Sequence, residues 1–196
     1  MSAPPPLGGP EAGGPDAGGP DAGGAGRAGG ASAPPPFGHV PGVAVGDLFA
    51  DRVALSAAGV HRPRRAGIWG TQAEGAQSVI LNCAFVDDED RGAVVLYTGS
   101  GARHPKTGRQ IGDQTLTRSN LALAVSARRA LPVRVSRGVG RRVWEPPAEG
   151  YRYDGLYRVA DYWDDTGRDG YRVWRFRLEA VPGESYALPA APPRPQ

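Results

Sequence analysis

The sequence predicts an α+β fold, mostly β: a curved or barrel-like sheet with two helices, behind a Gly/Pro/Ala-rich leader. Three observations carry this. Short strand-like runs separated by turn chemistry dominate the chain, only two segments have helical character, and 30 of the 196 residues are glycine, which suits a strongly bent sheet. Hydrophobic residues make up 40% of the chain, enough for a core, and the length suits one domain plus tails. Periodicity alone leaves a β sandwich open as well.

Residues 1–36 contain 28 Gly, Pro or Ala and repeat GGPEA, GGPDA, GGPDA between positions 8 and 22. Such a segment buries too little apolar surface to offset its chain entropy, so it is expected to be a disordered leader. A short helix is expected over 48–57, ended by Gly59. Residues 78–86 (SVILNCAFV) form a continuous apolar run of the kind buried on both faces, and 93–98 (AVVLYT) follows the acidic turn DDEDRG. The best helix is 117–129, with Thr117 or Ser119 as cap and arginines in the last turn. Residues 132–137 (PVRVSR) alternate apolar and basic side chains, which predicts a half-buried strand presenting arginines outward. Strands at 156–162 and 171–178 flank a hairpin loop at 164–170, and Tyr171, Val173, Trp174, Phe176 and Leu178 place aromatics on the inner face. The Pro-rich segment 187–196 reads as a second disordered tail, leaving a folded domain over 37–186.

The net charge of +3 conceals an asymmetry. Residues 103–142 hold ten basic side chains opposed only by Asp113, a local balance of +9, as expected of a face that binds a polyanion. Arginine outnumbers lysine 22 to 1, a bias typical of a GC-rich bacterial genome. One cysteine, Cys83, rules out an intramolecular disulfide. The N-terminus has no basic region followed by an apolar run, so no secretory signal is expected, and no apolar run of about 20 residues is present. A soluble cytoplasmic protein, associated with the nucleoid and with no membrane partner, is expected.

Catalytic signatures are missing. The three histidines, His39, His61 and His104, form no metal-binding cluster, and the only lysine, Lys106, has His104 rather than an acid two positions before it. There is no phosphate-binding loop, nucleophile elbow or CxxC pair. Cys83 reads as a small core residue. The protein is expected not to be an enzyme and to need no cofactor or metal. Binding groups are better represented. A pocket for a pyrimidine turned out of a duplex needs aromatic faces, a carboxylate for an exocyclic amine and close backbone approach. Phe85, Asp88, Tyr97, Thr98, Gly99 and Gly101 supply these kinds of group, although the same residues also fit a core pair and a solvated turn.

The runs FGHVPGVAVGDLF (37–49), AAGVHRPRRAGIWG (57–70), VDDEDRG (86–92), YTGSG (97–101), DQTLTRSNLALA (113–124) and PAEGYRYDGLYRV (147–159) resemble, in order, the SRA domain. That family is also called YDG, after the motif present here as Tyr153, Asp154 and Gly155. The resemblance implies a crescent-shaped, twisted β-barrel flanked by helices, and binding of duplex DNA containing 5-methylcytosine with the base flipped out. It implies stacking of that base between Phe85 and Tyr97, with Asp88 accepting from the cytosine N4 amine. Thr98, Gly99 and the backbone from Asn82 to Ala84 would line the polar edge, and Ser100 would sit near the methyl group. Loop 103–110, with Arg103, His104, Lys106, Arg109 and Gln110, corresponds to the loop that enters the major groove. Arg64 and Arg65 correspond to the loop that enters from the minor groove. Arg118, Arg134 and Arg137 complete the expected DNA-contacting set.

Three departures shape the expectation. Phe85 stands where eukaryotic readers carry tyrosine, loop 103–110 is shorter and lacks their Asn-Lys-Arg sequence, and Arg65 replaces an apolar wedge. Weak dependence on sequence context is therefore expected. Tyr153 and Tyr157 are read as packing residues, Gly155 as permitting a tight backbone path, and His61 as fixing a loop through hydrogen bonds. Trp144, Trp163 and Trp174 are read as core or core rim. A free-standing bacterial reader is the favoured class. The alternatives are the recognition subunit of a modification-dependent restriction system whose nuclease is a separate chain, and a general nucleic-acid or RNA-modification domain.

Overall fold

The computed structural model describes residues 37–104 and 106–188. The predicted leader, and all but the first two residues of the predicted tail, lie outside the described residues. Strands β1 (Leu48–Phe49), β2 (Ile68–Thr71), β3 (Gly75–Leu81), β4 (Glu89–Asp90), β5 (Val94–Thr98), β6 (Pro132–Gly138), β7 (Tyr151–Thr166) and β8 (Arg172–Ser185) form one sheet. Helices α1 (Arg52–Ala57) and α2 (Arg118–Arg129) accompany it. The class is the predicted one, α+β and mostly β. The strand order is β2-β3-β6-β7-β8-β5-β4, with β1 added to β7. The path is open, because β2 pairs only with β3 and β4 only with β5 among the described residues.

The sheet curls strongly, and one side chain shows how far. Arg137 on β6 and Asp90 on β4 lie four strands apart in the pairing order, about 19 Å across a flat sheet at normal strand spacing. Nevertheless, Arg137 Nε and Nη2 donate to Asp90 Oδ2 and Oδ1 at 2.8 and 2.9 Å. The same guanidinium donates to Gly92 O at 2.6 Å, to the Tyr157 hydroxyl at 3.0 Å and to Asp154. All five guanidinium N–H groups are thereby placed. Asp154 also accepts from Arg152, whose Nε lies 2.5 Å from Oδ1. Two arginines and two aspartates thus balance inside the fold, with Arg137 0% and Asp154 0% exposed. Arg134 is also interior (2% exposed), donating to Val60 O and Gly38 O. The expected outward-facing arginine strand is therefore corrected. β6 lies between β3 and β7 with its side chains enclosed, and internal carboxylates and carbonyls, not solvent, meet its guanidinium groups.

The residues 153–155 now have separate duties. Tyr153 and Tyr157 are fully buried packing residues, as expected. Asp154 anchors the arginine pair. Gly155 has φ +85° at a register shift between β7 and β8, and a Cβ there would lie 2.2 Å from Glu184 O. No other residue type fits that close approach.

Two clusters form the core. Leu81, Val79 and Ile68 join Leu123, Val133, Tyr157 and Phe176 beneath α2, while Ile80 joins Val40, Leu55, Val60 and Tyr153 beside α1. β3 therefore buries both faces, which explains its continuous apolar run. That strand stops at Leu81, however. Residues 82–88 form a loop, with Cys83 at φ +50°, so the strand expected over 78–86 is too long. Helix 48–57 is likewise shortened. Leu48 and Phe49 pair with Arg152 and Tyr151 in the sheet, and Asp51 caps the helix by accepting from Val53 N and Ala54 N, each at 2.8 Å. Helix α2 starts after Thr117 as predicted, although no side-chain capping bond is made there. In β8, Val173, Phe176 and Leu178 are buried and Trp174 is half-buried, while Tyr171, expected on the inner face, precedes the strand and is exposed. Trp174 packs against the rim of the first core cluster, and Trp144 and Trp163 are half-buried. Among the described residues no helix is long and apolar enough to cross a membrane.

Candidate base-binding site

The loop 82–88 and the end of β5 enclose a cavity of about 180 Å³. Asn82, Ala84, Phe85 and Asp88 line it from the loop, Tyr97 from β5, and Ile80 from the end of β3. Arg65 and Gly67 contribute from the loop before β2, Arg52 from α1, and Arg103 from the loop after β5. Five of the expected base-contacting residues thus meet in one place although they lie on separate segments.

Asp88 is 3% exposed. Its Oδ1 accepts from Thr98 N at 2.9 Å, and its Oδ2 accepts from Phe85 N at 3.2 Å. Burial pushes its carboxyl above the usual carboxylate range, against the opposing pull of Thr98, the Phe85 N–H and Arg142. The acidic run is thus no solvated turn: Asp87, Asp88 and Asp90 are all buried. Tyr97 is 5% exposed and donates from its hydroxyl to Gly67 O at 3.3 Å; burial raises its pKa. Cys83 is a core residue in a loop, not in a strand. Its thiol pKa is pushed up to about 12, first by burial and then by Asp88 and Asp90, which leaves it neutral and a poor nucleophile.

Thr98, Gly99 and Ser100 stand apart from the cavity lining. Thr98 supports Asp88 from behind. A Cβ on Gly99 would lie 2.8 Å from both Asn120 Oδ1 and Gln114 Oε1, so glycine lets α2 approach the end of β5. Ser100 was expected beside a methyl group. Instead its hydroxyl lies 2.7 Å from Ser119 Oγ, and Asn120 holds its backbone N–H and C=O at 2.8 and 2.9 Å. It borders a separate cavity of about 490 Å³ shared with Gly101 and Arg118 at the start of α2; Arg118 itself is exposed.

The two predicted DNA loops differ in character. Loop 62–66 is pinned at its base. Arg52 donates to Pro63 O at 2.8 Å and to Ala66 O, His61 reaches Ala66 O at 2.9 Å, and Ser56 bonds Arg62 O. Arg64 and Arg65 remain exposed above that base. Loop 103–110 turns back on itself. Arg103 lies 4.5 Å over the Phe85 ring and donates to Ala84 O and Gly108 O at 2.8 and 2.5 Å. His104 Nδ1 accepts from Thr107 N, and Arg109 pairs with Asp169 at 3.0 Å. Gln110 is 7% exposed, its amide donating to Gly101 O and Gly112 O. Expected in a groove-reading loop, Gln110 is instead an internal brace, because two backbone carbonyls consume its donors. Lys106 is exposed.

Sequence reasoning did not assign Arg52, Gly67 or Arg142 to the site. Arg142 donates to the carbonyls of Cys83 and Phe85 at 2.6 Å each, and of Val86 at 2.8 Å. These contacts join residues 56 to 59 positions apart, so no local pattern signals them. Together the site offers two aromatic side chains, one buried hydrogen-bond acceptor and a cationic rim, which suits a flat, amine-bearing ring attached to a polyanion.

The family model described as the SAD/SRA domain matches residues 36–184. The chain is 42% identical over 162 residues to the E3 ubiquitin-protein ligase UHRF1 of Rattus norvegicus, covering 72% of this chain and 21% of that protein. It therefore spans about a fifth of the length of the curated relatives it matches. Among solved structures it is similar to the modification-dependent TagI restriction endonuclease, with TM-score 0.70 and 40% identity over 74% of this chain and 52% of that one. It is also similar to the SUVH5 SRA domain solved with fully methylated CG DNA, with TM-score 0.62 and 36% identity over 80% of this chain and 98% of that one.

Proposed function

The chain belongs to the SAD/SRA domain family, and on that footing we propose that it binds duplex DNA carrying 5-methylcytosine and holds that base outside the helix, in the cavity shared by Phe85 and Tyr97. The observation that carries the reading is the convergence of Phe85, Tyr97 and the buried Asp88 on one cavity with an arginine rim. Asp88 would accept from the N4 amine, which selects cytosine over thymine because thymine presents a carbonyl there. The SUVH5 SRA domain is solved with methylated and with hydroxymethylated CG DNA, which fits a cavity of this kind.

Flipping costs a few kcal/mol, and aromatic stacking returns about 1–3 kcal/mol per base. Burial of one methyl group adds about 0.8 kcal/mol, roughly fourfold in affinity. The test is a competition assay at fixed salt with duplexes that differ only in cytosine, 5-methylcytosine or 5-hydroxymethylcytosine at one position. Phe85 is half-buried on a loop, so Phe85→Ala is expected to fold and to weaken binding to the modified probe about 5- to 150-fold. Equal binding of all three probes by the unaltered protein would remove the reader function.

Gln110 is buried, and the exposed Arg103 is engaged with the Phe85 ring and the Ala84 and Gly108 carbonyls; this supports recognition with little regard for neighbouring bases. Methylated CG and non-CG probes are expected to bind within about threefold of each other, since base-edge contacts worth more than that are absent from such a loop; a larger gap would restore groove readout. The protein is proposed to act without cleaving DNA. Incubating methylated duplex with the protein and magnesium should leave it intact, and fragments on a denaturing gel would overturn that. The likeness to TagI favours one second reading, the recognition part of a restriction system whose nuclease is a separate chain. Co-purification of a nuclease activity from the native source would establish it.

A further inference from the structure

The segment joining β6 to β7 lies across the loop that walls the base cavity. A Cβ on Gly140 would come within 2.5 Å of Asn82 O, Val143 is buried in the core, and Trp144 N donates to Asp90 Oδ2 at 2.9 Å. Between these anchors Arg142 turns its guanidinium onto the loop. Nη1 donates to Val86 O at 2.8 Å and more weakly to Asp88 O at 3.4 Å, and Nη2 donates to Cys83 O and Phe85 O at 2.6 Å each. The Cys83 thiol returns a bond to Arg142 O at 3.3 Å. Four of the five guanidinium donors are thus used on four loop carbonyls. This loop follows no regular ladder, and Cys83 holds a left-handed φ of +50°. Besides Arg142, Arg103 donates to Ala84 O and Asp88 N to Phe85 O.

We propose that Arg142 is a positioning residue for the base cavity, setting the conformation of loop 83–88 and with it the placement of Phe85 and Asp88. This rests on the reading of the cavity as a base site. Phe85 and Asp88 both lie on that loop, and Asp88 N donates back to Phe85 O at 3.2 Å. Releasing the four carbonyls frees the stacking ring and the amine acceptor together. Affinity that depends on the base is then lost, while affinity for the phosphate backbone is kept.

The test uses the full chain with Arg142→Ala and Arg142→Lys, read by amide hydrogen exchange and by binding to methylated and unmodified duplexes. Both variants are expected to exchange the Ala84, Phe85 and Asp88 amides about tenfold faster or more, with β6 and β7 unchanged. Both are expected to lose the preference for the methylated probe while binding unmodified DNA within about twofold of the original. Lysine keeps the charge but cannot span four carbonyls from one planar fork. Restoration of wild-type preference by Arg142→Lys would mean a phosphate contact and overturn the proposal, as would unchanged exchange in the loop. If the unaltered protein shows no preference for methylation, the base-reading function falls, and the exchange measurement still decides whether Arg142 fixes the loop.

Discussion

Asp154→Ala is expected to lower the folding free energy by about 3–5 kcal/mol, the usual cost of removing one member of a buried ion pair. Asp154 is 0% exposed and is bonded to both Arg137 and Arg152. Its loss strands positive charge in the protein interior, where Arg137 is 0% exposed. Domains of this size have about 5–15 kcal/mol in total, so the variant should be largely unfolded at moderate urea concentrations where the parent is folded. Asp154→Asn should cost nearly as much, because the charge and not the shape is the missing element. Arg137→Ala should behave like Asp154→Ala. Any weakening of DNA binding in that variant then tracks the unfolded fraction and not a lost phosphate contact. An unfolding free energy from urea titration within about 1 kcal/mol of the parent for Asp154→Ala would show that Asp90 alone satisfies Arg137.

Acid should destabilise the protein through His61. The ring is 0% exposed, and burial lowers its pKa from 6.5 to about 4, with Arg52 and Arg134 adding to the depression and the Ala66 carbonyl opposing it. A carbonyl only accepts, so Nε2–H donates to Ala66 O at 2.9 Å and Nδ1 accepts from the Ser78 hydroxyl at 2.9 Å, which is the neutral tautomer. The unfolded chain binds the proton more tightly than the folded one. Stability from this group is complete above about pH 6.5, falls as pH drops towards 4, and is constant below, a loss of about 3 kcal/mol. His61→Gln should be less stable than the parent at pH 7, with a gap that shrinks by about that amount on going to pH 4. A gap independent of pH would show that the ring protonates without cost. The added proton enters at Nδ1 against the Ser78 hydroxyl, while Nε2–H keeps its bond to Ala66 O at the base of loop 62–66.

Charge counting shows where sequence reasoning reached its limit. The basic excess of 103–142 reads as a polyanion-binding face. In the folded chain Arg134 and Arg137 are interior, Arg109 is paired with Asp169, Arg129 bonds Ala73 O and Arg142 is committed to loop carbonyls. A guanidinium on a strand has the same local pattern whether a phosphate or a buried aspartate waits for it. The partners of Arg137 lie 17 to 47 positions away, and no spacing rule reports such pairs. The acidic run 87–90 misleads in the opposite direction: it looks like a solvated turn, but supplies the cavity acceptor through Asp88 and the internal ion pair through Asp90.

The amino-acid sequence by itself determined the mostly-β class, the helix at α2, the packing roles of Tyr153 and Tyr157, and the kinds of group gathered around Phe85, Asp88 and Tyr97. These follow from local properties: side-chain volume, hydrophobic period, and motif order matched to a family. Only the tertiary structure decided that β3 ends at Leu81 so that 82–88 can bend into a cavity wall. It alone separated Ser100 from that cavity, sent Gln110, Arg134 and Arg137 inward, and brought Arg52 and Arg142 to the site. The physical reason is that burial and hydrogen-bond partnership belong to pairs of residues remote in sequence. When a sheet curls far enough for β6 to reach β4, it creates partners that neither strand specifies alone.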